Sequence, residues 1–416
     1  MDNNATPFAK LQRRLARGWN TWNTRSVLSH VLLPEGLALN LGIKDYASRK
    51  YLKHAFVGRK DTSLEQIHPG LRTYDGAYTE LDLHWQNIHL TVQSGTDGED
   101  LLLLVTPHSQ HRKTPSLIIE PAILWNRLGS VSRQGDALVL TTPTRTVTAS
   151  TTGLPVDEPY VDVQTCYLAV ALDTPIGVCT GCPRTADEIR DTLVRSFIAH
   201  QANIAQFGDL ADVYTAMQTC LAWDTIYEPE RQRVISPVSR MWNINWGGYV
   251  LFDWDTYFAA YIAGLDNRDL AYANAIAITR EATERGFVPN FGTVNNVKSR
   301  DRSQPPVGAL VARELYRKYS DKWFLEEVFD VLLTWNRWWP VSRDHEGLLC
   351  WGSDPYEPTV DAHFEVTSVG DWQGAAFESG LDNSPMYDNV PYNRETHLME
   401  LADVGLNGMY IMDCLA

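Results

Sequence analysis

Two carboxyl-bearing residues, Glu378 and Asp382, lie four positions apart in the segment 378–385, which reads Glu-Ser-Gly-Leu-Asp-Asn-Ser-Pro. A carboxyl group that stays protonated near neutral pH can give a proton to a leaving oxygen, and burial or a neighbouring negative charge produces that state. Asp382 is a candidate for the proton donor and Glu378 for the negative neighbour. The commoner use of an aspartate before Asn-Ser-Pro is to cap a helix.

Three further segments combine polar and aromatic residues that suit a polar ligand. An aspartate beside a tryptophan can accept hydrogen bonds from hydroxyl groups while the indole covers an apolar face, and a guanidinium adds fixed donors. The ordinary alternatives are a helix cap beside a core tryptophan, an exposed arginine and a Pro-Asn turn. The segments are 240–258, which contains Trp-Asn-Ile-Asn-Trp and Phe-Asp-Trp-Asp-Thr-Tyr-Phe, 286–291, Gly-Phe-Val-Pro-Asn-Phe, and 299–306, Ser-Arg-Asp-Arg-Ser-Gln-Pro-Pro.

The composition narrows the class of ligand. The formal net charge of −15 argues against nucleic acids and anionic membranes, which reward clusters of lysine and arginine. Aromatic residues make up 11% of the chain and include 14 tryptophans, whose amphipathic rings suit sugar faces as well as cores. A neutral, polar ligand fits this composition better.

The cysteines and the termini predict neither a metal site nor a targeting segment. The six cysteines are scattered, and the pair Cys179 and Cys182 lacks the two further ligands of a zinc site. The sequence contains neither an EF-hand loop nor another dense run of acidic ligands, so it carries no readable calcium site and we expect no cofactor. No signal peptide and no apolar run of roughly 20 residues is present. We therefore expect a cytoplasmic protein with no membrane partner.

Apolar alternation predicts strands in the first part of the chain. Between about residues 30 and 175, alternating apolar residues such as Leu37, Leu39 and Leu41 are separated by turn-forming clusters. Many short strands without an intervening helical pattern are typical of an antiparallel β-sandwich. We assign residues 1–185 to this domain.

Helical spacing replaces the alternation after about residue 186. We predict a linker helix at 186–206 and a helical domain over 207–416. Long loops between the helices carry the segments described above, and such loops are where binding residues are usually placed. The predicted helices include 255–263, 270–284, 305–319, 324–339 and 395–412.

The four segments together resemble the glycoside hydrolase clan that contains trehalases and family 63 α-glucosidases. In that clan, a Trp-Asp-Thr/Ser segment, a Pro-Asn turn, an Arg-Ser-Gln-Pro-Pro segment and a Glu-Ser-Gly-x-Asp segment follow in this order along an (α/α)6 barrel. The resemblance covers roughly residues 200–400, and the first half of the chain resembles the β-sandwich that precedes the barrel in bacterial family 63 members. It implies a multidomain β plus α fold and an inverting glycosidase acting on a small α-glucoside or related α-glycoside.

The resemblance also implies roles for individual residues. Asp382 matches the general acid, and the rest of the set would bind the small oligosaccharide or glycoside substrate. Trp242 and Trp246 enter this set as candidate aromatic platforms, since they lie in a loop before two glycines. The proposed substrate-binding residues are Trp242, Trp246, Trp254, Asp255, Asn290, Arg302, Gln304 and Glu378.

The general base of the family is a glutamate far beyond the acid, and only part of a barrel precedes residue 416. We therefore expect the base and the other half of the barrel to come from a missing segment or a second chain, and this chain alone to be almost inactive. Two alternatives stay open. One is a non-catalytic carbohydrate-binding or assembly protein, and the other, less favoured, is a disaccharide phosphorylase.

Overall fold

The computed structural model describes residues 5–59, 61–158, 160–242, 248–294, 296–356 and 369–416. By Cα packing the chain forms two compact units. We call residues 13–232 the sheet unit, and residues 1–12 together with 233–416 the helical unit. The domain boundaries inferred from periodicity stay a prediction.

The sheet unit is built mainly from short antiparallel strands. Its helices are α2 (Ala186–Ile204) and α3 (Ala211–Asp224), joined by a 3-10 helix (Ala205–Leu210), and α1 (Pro7–Leu15) ends within it. Its strands are β1 (Gly18–Asn20), β2 (Ser29–Leu33), β3 (Leu37–Lys44), β4 (Tyr51–Leu52), β5 (Gln66–Arg72), β6 (Tyr78–Trp85), β7 (Ile88–Asp97), β8 (Asp100–Pro107), β9 (Ser116–Ile123), β10 (Ser130–Gln134), β11 (Ala137–Thr141), β12 (Thr146–Thr151), β13 (Leu168–Ala171), β14 (Ile176–Thr180) and β15 (Ile226–Glu228).

Two sheets face each other across one core and confirm the predicted sandwich. One has the order β1-β2-β3-β9-β13, with β4 also paired to β3, and the other has the order β10-β11-β12-β14-β8-β7-β6-β5. The alternating residues Leu37, Leu39 and Leu41 of β3 share a core with Leu81 and Leu83 of β6. Because side chains alternate along a strand, the other face of the second sheet points away from this core. That face can present polar residues or pack against helix α2.

The helical unit combines packed helices with short strands. Its helices are α4 (Asp253–Ala263), α5 (Arg268–Thr279), α6 (Gly308–Tyr319), α7 (Lys322–Ser342), α8 (Trp372–Glu378) and α9 (Val404–Cys414), and residues Pro385–Tyr387 form a 3-10 turn. Its strands are β16 (Arg233–Ile235), β17 (Val250–Phe252), β18 (Phe291–Thr293), β19 (Asp344–His345), β20 (Leu348–Gly352), β21 (Tyr392–Asn393) and β22 (Leu398–Ala402). Within the described part of the chain, no helix has the length and apolar character to cross a bilayer.

The helix predicted over residues 395–412 is wrong in its first half. Residues Leu398–Ala402 form β22, which pairs with β20 and β21. Helix α9 begins only after Asp403, whose carboxylate accepts hydrogen bonds from the amides of Gly405 and Leu406. A capping aspartate inside an otherwise apolar stretch therefore separates a strand from a helix. The barrel arrangement of the helices stays a prediction.

Candidate active site

Main-chain hydrogen bonds hold the first three candidate segments side by side. Strand β17 pairs with β18 so that Phe252 lies opposite Phe291. The amide of Asp253, the first residue of α4, donates to the carbonyl of Asn290 over 3.1 Å. The amide of Asn290 in turn donates to the carbonyl of Arg302 over 3.2 Å. The start of α4, the Pro-Asn turn and the arginine segment thus form one backbone framework.

Arg302 is buried and oriented by its neighbours. Its Nη1 donates to Asp301 Oδ2 over 2.6 Å, and its Nε donates to Asn290 Oδ1 over 3.3 Å. The guanidinium carbon lies 5.1 Å from the centre of the ring of Phe377, the residue of helix α8 directly before the fourth segment. The structure therefore places Asn290 and Arg302 together, and the rigid guanidinium is held in a single orientation.

Gln304 supports the start of helix α4. The Oε1 atom of Gln304 accepts a hydrogen bond from the amide of Trp254 over 3.4 Å. The residue at the N-cap position of α4, Phe252, provides no side-chain cap. Gln304 is buried, with 4% of its surface exposed. Its described contact therefore orients the Trp254 backbone, whereas the sequence predicted contact with a ligand.

Gly380 brings the fourth segment against the first. Its φ of 70° lies in the left-handed region, and a Cβ added there would stand 2.5 Å from Cζ2 of Trp254. Only glycine combines this backbone conformation with so close an approach to an indole. Trp254 also packs against Phe258, with ring centres 6.0 Å apart.

We expect Gly380→Ala to lower the free energy of unfolding by about 1–3 kcal/mol and to weaken ligand binding, because it strains the backbone and displaces the Trp254 indole. Chemical denaturation and calorimetry measure the two effects. The control is Gly408→Ala in α9, where an added Cβ meets open space. Equal effects of the two substitutions would contradict the assignment of Gly380 to this contact.

Asp255 and Asp382 are electrostatically coupled. Burial raises the pKa of Asp255, and the negative charge of Asp382 raises that pKa further. Asp382 is exposed, yet partial desolvation raises the pKa of its carboxyl, and the Arg302 guanidinium opposes this rise. Two carboxyl groups with raised pKa values, one of which also feels the fixed charge of Arg302, form a site in which a proton can be held and released.

The capping alternatives for these two aspartates are not what the structure shows. Helix α4 begins at Asp253 with Phe252 at its N-cap position, so Asp255 lies inside the first turn. The 3-10 turn after Asp382 is capped by Ser384, whose hydroxyl accepts from the amide of Met386. Both carboxyl groups are therefore left for other roles.

Glu378 lies beneath the site in a buried ion pair. Its carboxylate accepts two hydrogen bonds from Arg343, at 2.7 and 2.9 Å, and one each from the amides of Ser303 and Gly352. Burial raises the pKa of Glu378, while the guanidinium and the two amides oppose that rise. Because all four hydrogen bonds come from donors of these three residues, they favour the ionised form.

This arrangement corrects two expectations for Glu378. The side chain has no exposed surface, and protein groups occupy its acceptor positions, so it does not present a carboxylate to a substrate. The raised pKa of Asp382 comes from desolvation, not from a negative neighbour at Glu378. Glu378 instead ties helix α8 to Arg343 and to the arginine segment. Its partner Arg343 follows helix α7 without any recognisable motif and was missed.

Asp253 is a second buried carboxyl that sequence reasoning left without a role. It has no exposed surface, and burial raises its pKa well above the ordinary value. Its Oδ1 has no hydrogen-bond partner among the described residues, and Ser303 Oγ lies 3.5 Å from its Oδ2. Burial therefore favours the protonated form of this carboxyl.

Of the two tryptophans predicted as aromatic platforms, Trp242 and Trp246, the structure describes only Trp242. Trp242 is exposed to 53% and meets Phe252 edge to face, with ring centres 5.1 Å apart. It therefore lies next to the strand that leads into Asp253 and presents a free aromatic surface. Trp246 lies outside the described residues.

Comparison with known proteins identifies a glycoside hydrolase-like domain. Residues 248–412 match the model of a family described as the mannosylglycerate hydrolase MGH1-like glycoside hydrolase domain. This stretch contains three of the four segments in full and the part of the first that begins at Gly248. The more specific assignment to family 63 stays a prediction.

Two solved structures with remote similarity were also found. One is a bacterial glucoamylase complexed with acarbose, with 10% identity, a TM-score of 0.38 and coverage of 76% of this chain and 57% of the glucoamylase. The other is a putative kojibiose phosphorylase from human microbiome, with 10% identity, a TM-score of 0.30 and coverage of 79% and 52%. The chain spans a little over half the length of either protein.

Proposed function

We propose that this protein hydrolyses a small α-glycoside with inversion and that Asp382 is the general acid. The observation that carries the proposal is the position of Asp382 beside Asp255, Arg302 and the Trp254–Gly380 contact, within a glycoside hydrolase-like domain. An acid must be protonated at the working pH, and desolvation of Asp382 favours that state.

In the proposed reaction, Asp382 gives its proton to the glycosidic oxygen as the bond to the anomeric carbon breaks. Positive charge then develops on the sugar ring, and water adds to the anomeric carbon from the opposite face. Asp255 accepts hydrogen bonds from sugar hydroxyls, Trp254 covers an apolar ring face and Arg302 donates to hydroxyl oxygens. Asn290 orients Arg302 through its side-chain oxygen.

We place the general base outside the described carboxylates of this site. Glu378 is saturated with donors, and neither Glu378 nor Asp253 has any exposed surface, so neither can contact an attacking water. The charge of Asp382 raises the pKa of Asp255, and we assign Asp255 to binding the sugar hydroxyls rather than to the base. An inverting enzyme needs its base roughly 6.5–9.5 Å from the acid, with water between them. We propose a glutamate on a further barrel segment or on a second chain.

The description of the matched family places α-glycosides of glycerate first among the substrates to test. Mannosylglycerate and glucosylglycerate therefore lead the panel, followed by trehalose and other glucobioses. Turnover is measured on this chain alone and on a polypeptide extended beyond residue 416, and binding is measured by calorimetry. We expect saturable binding by the chain and hydrolysis with inversion once the base is present.

The same experiment separates the two alternatives. Sugar binding without turnover in every form of the protein would assign a carbohydrate-binding role. Sugar phosphate formed only when phosphate is added would assign a phosphorylase. Full turnover by the chain alone, lost in Asp382→Asn, would show that the base lies within residues 1–416.

The charge of Arg302 gives a prediction on pH dependence. Arg302 lowers the pKa of Asp382, so removing the charge in Arg302→Met raises that pKa and keeps the acid protonated to higher pH. We expect the alkaline limb of the kcat/KM profile to move to higher pH. Arg302→Lys keeps the charge but loses the planar fork, so it should weaken binding by about 10- to 100-fold without moving the limb. A limb that stays in place or moves to lower pH in Arg302→Met would contradict this role.

A further inference from the structure

Four histidines lie on one face at the same end of the eight-stranded sheet in the sheet unit. Strands β5, β6 and β7 carry His68, His84 and His89, and His108 directly follows β8. In β6 and β7 the alternate residues Leu83, Leu90 and Trp85 are buried in the core, so the histidines project from the opposite face. The strand register places His84 directly opposite His89.

Three ligating side chains converge within this cluster. One ligand atom each from Asp82, His89 and His108 lies within 4.8 Å of the other two. Asp82 and His89 are half-buried, and His108 is exposed. The amide of His108 donates to the carbonyl of His89 over 2.9 Å, which fixes the backbone of these two residues relative to each other.

A hydroxyl between the ligands orients them toward a common point. Thr91 lies opposite Asp82 in the register of β6 and β7. Its Oγ1 donates to Asp82 Oδ1 over 2.6 Å and lies 2.7 Å from His108 Nε2. The carboxylate and the imidazole are thus held on either side of one small group.

We propose that Asp82, His89 and His108 form a binding site for a divalent transition-metal ion of the zinc type. Imidazole nitrogens suit Zn²⁺, Ni²⁺, Co²⁺ and Cu²⁺, whereas Mg²⁺ and Ca²⁺ require oxygen ligands. Ligand atoms bound at about 2.0–2.2 Å in a tetrahedron stand about 3.4 Å apart, so an ion would draw the three ligand atoms, now within 4.8 Å of one another, closer together. Water completes the coordination of the ion.

His84 is a positioning residue for this site. Its ring stacks on His89 with centres 4.0 Å apart and planes inclined by 18°, and His68 meets His84 edge to face at 5.3 Å. The stack restricts rotation of the His89 ring, as outer-sphere contacts do in metal sites. A bound ion would tie β6 and β7 to the residue that follows β8, so it would strengthen the sheet. The site belongs to residues 13–232, whereas the sugar site belongs to the helical unit.

The test is metal titration of the full chain, freed of any affinity tag, at pH 8, because metal binding requires deprotonated ligands. We expect one Zn²⁺ per chain by calorimetry and the intense visible absorption of tetrahedral Co²⁺. Asp82→Asn and the double variant His89→Ala/His108→Ala should each lower affinity by at least about tenfold. His84→Ala should weaken binding without changing the stoichiometry.

The matched control is His54→Ala, since His54 is an exposed histidine of the same unit outside the cluster. Equal weakening in His54→Ala, several weak ions per chain, or the faint spectrum of octahedral Co²⁺ would overturn the proposal. Circular dichroism confirms that each variant is folded. An increase in melting temperature with Zn²⁺, absent in the double variant, gives an independent readout.

Discussion

In the extended polypeptide that supplies the base, Asp382→Asn is expected to lower kcat on a natural glycoside by about 10²- to 10⁴-fold, the usual contribution of a general acid. The amide has the shape of the carboxyl but cannot give a proton to the glycosidic oxygen. Substrate binding should change little, because Trp254, Asp255 and Arg302 remain. Steady-state kinetics separate kcat from KM, and calorimetry gives Kd directly.

A leaving-group test distinguishes lost acid catalysis from lost structure. A glycoside with an activated leaving group, such as a nitrophenolate, needs little protonation, so Asp382→Asn should retain much of its activity on that substrate. The control is Asp388→Asn, an exposed aspartate six residues along the chain. If natural and activated glycosides lose activity equally, Asp382 is not the proton donor.

Arg343→Met is expected to reduce the free energy of unfolding by about 3–5 kcal/mol. It leaves the Glu378 carboxylate in the interior without its cation, and breaking a buried ion pair costs this much. Both side chains of the pair have 0% exposed surface. Chemical denaturation measures the loss, provided that the unsubstituted protein and the Arg343→Met variant each unfold in a single transition.

Two comparisons test the physical reason for this effect. Arg268→Met removes an exposed arginine that pairs with Asp321 and should cost at most about 1 kcal/mol. In the double variant Arg343→Met/Glu378→Gln, the uncompensated charge is gone, so the loss should be smaller than in Arg343→Met alone. A loss below about 1 kcal/mol in Arg343→Met would show that the pair does not hold the site together.

The sandwich was predictable because it depends on a local pattern. Alternation at Leu37, Leu39 and Leu41 reflects which side of a strand faces the core between the two sheets, and the structure confirms it. Helix α7 was predictable for the same reason, since the apolar face containing Phe324 and Trp335 is buried. The predicted helix at 395–412 failed in its first half because the three-residue spacing of Leu398 and Leu401 is helical, whereas pairing with β20 and β21 makes this segment a strand.

The residues of the candidate site were predictable from the sequence, but the tertiary contacts between them were not. The order of four segments indicated Asp382, Trp254, Asp255, Asn290 and Arg302, and the structure brings these residues together. The pairing of Arg343 with Glu378 left no local signal, because the two residues are 35 positions apart and meet only through tertiary folding. The same holds for the contact of Gly380 with Trp254, which joins positions more than 100 residues apart.

The most direct test of the sugar site is a crystal structure of the Asp382→Asn variant with a bound α-glycoside. We predict that the ring lies against Trp254, that Asp255 accepts bonds from its hydroxyls, and that the residue 382 side chain lies about 2.6–3.2 Å from the glycosidic oxygen. A glycoside bound elsewhere, or with its glycosidic oxygen remote from residue 382, would contradict the assignment of Asp382 as the acid.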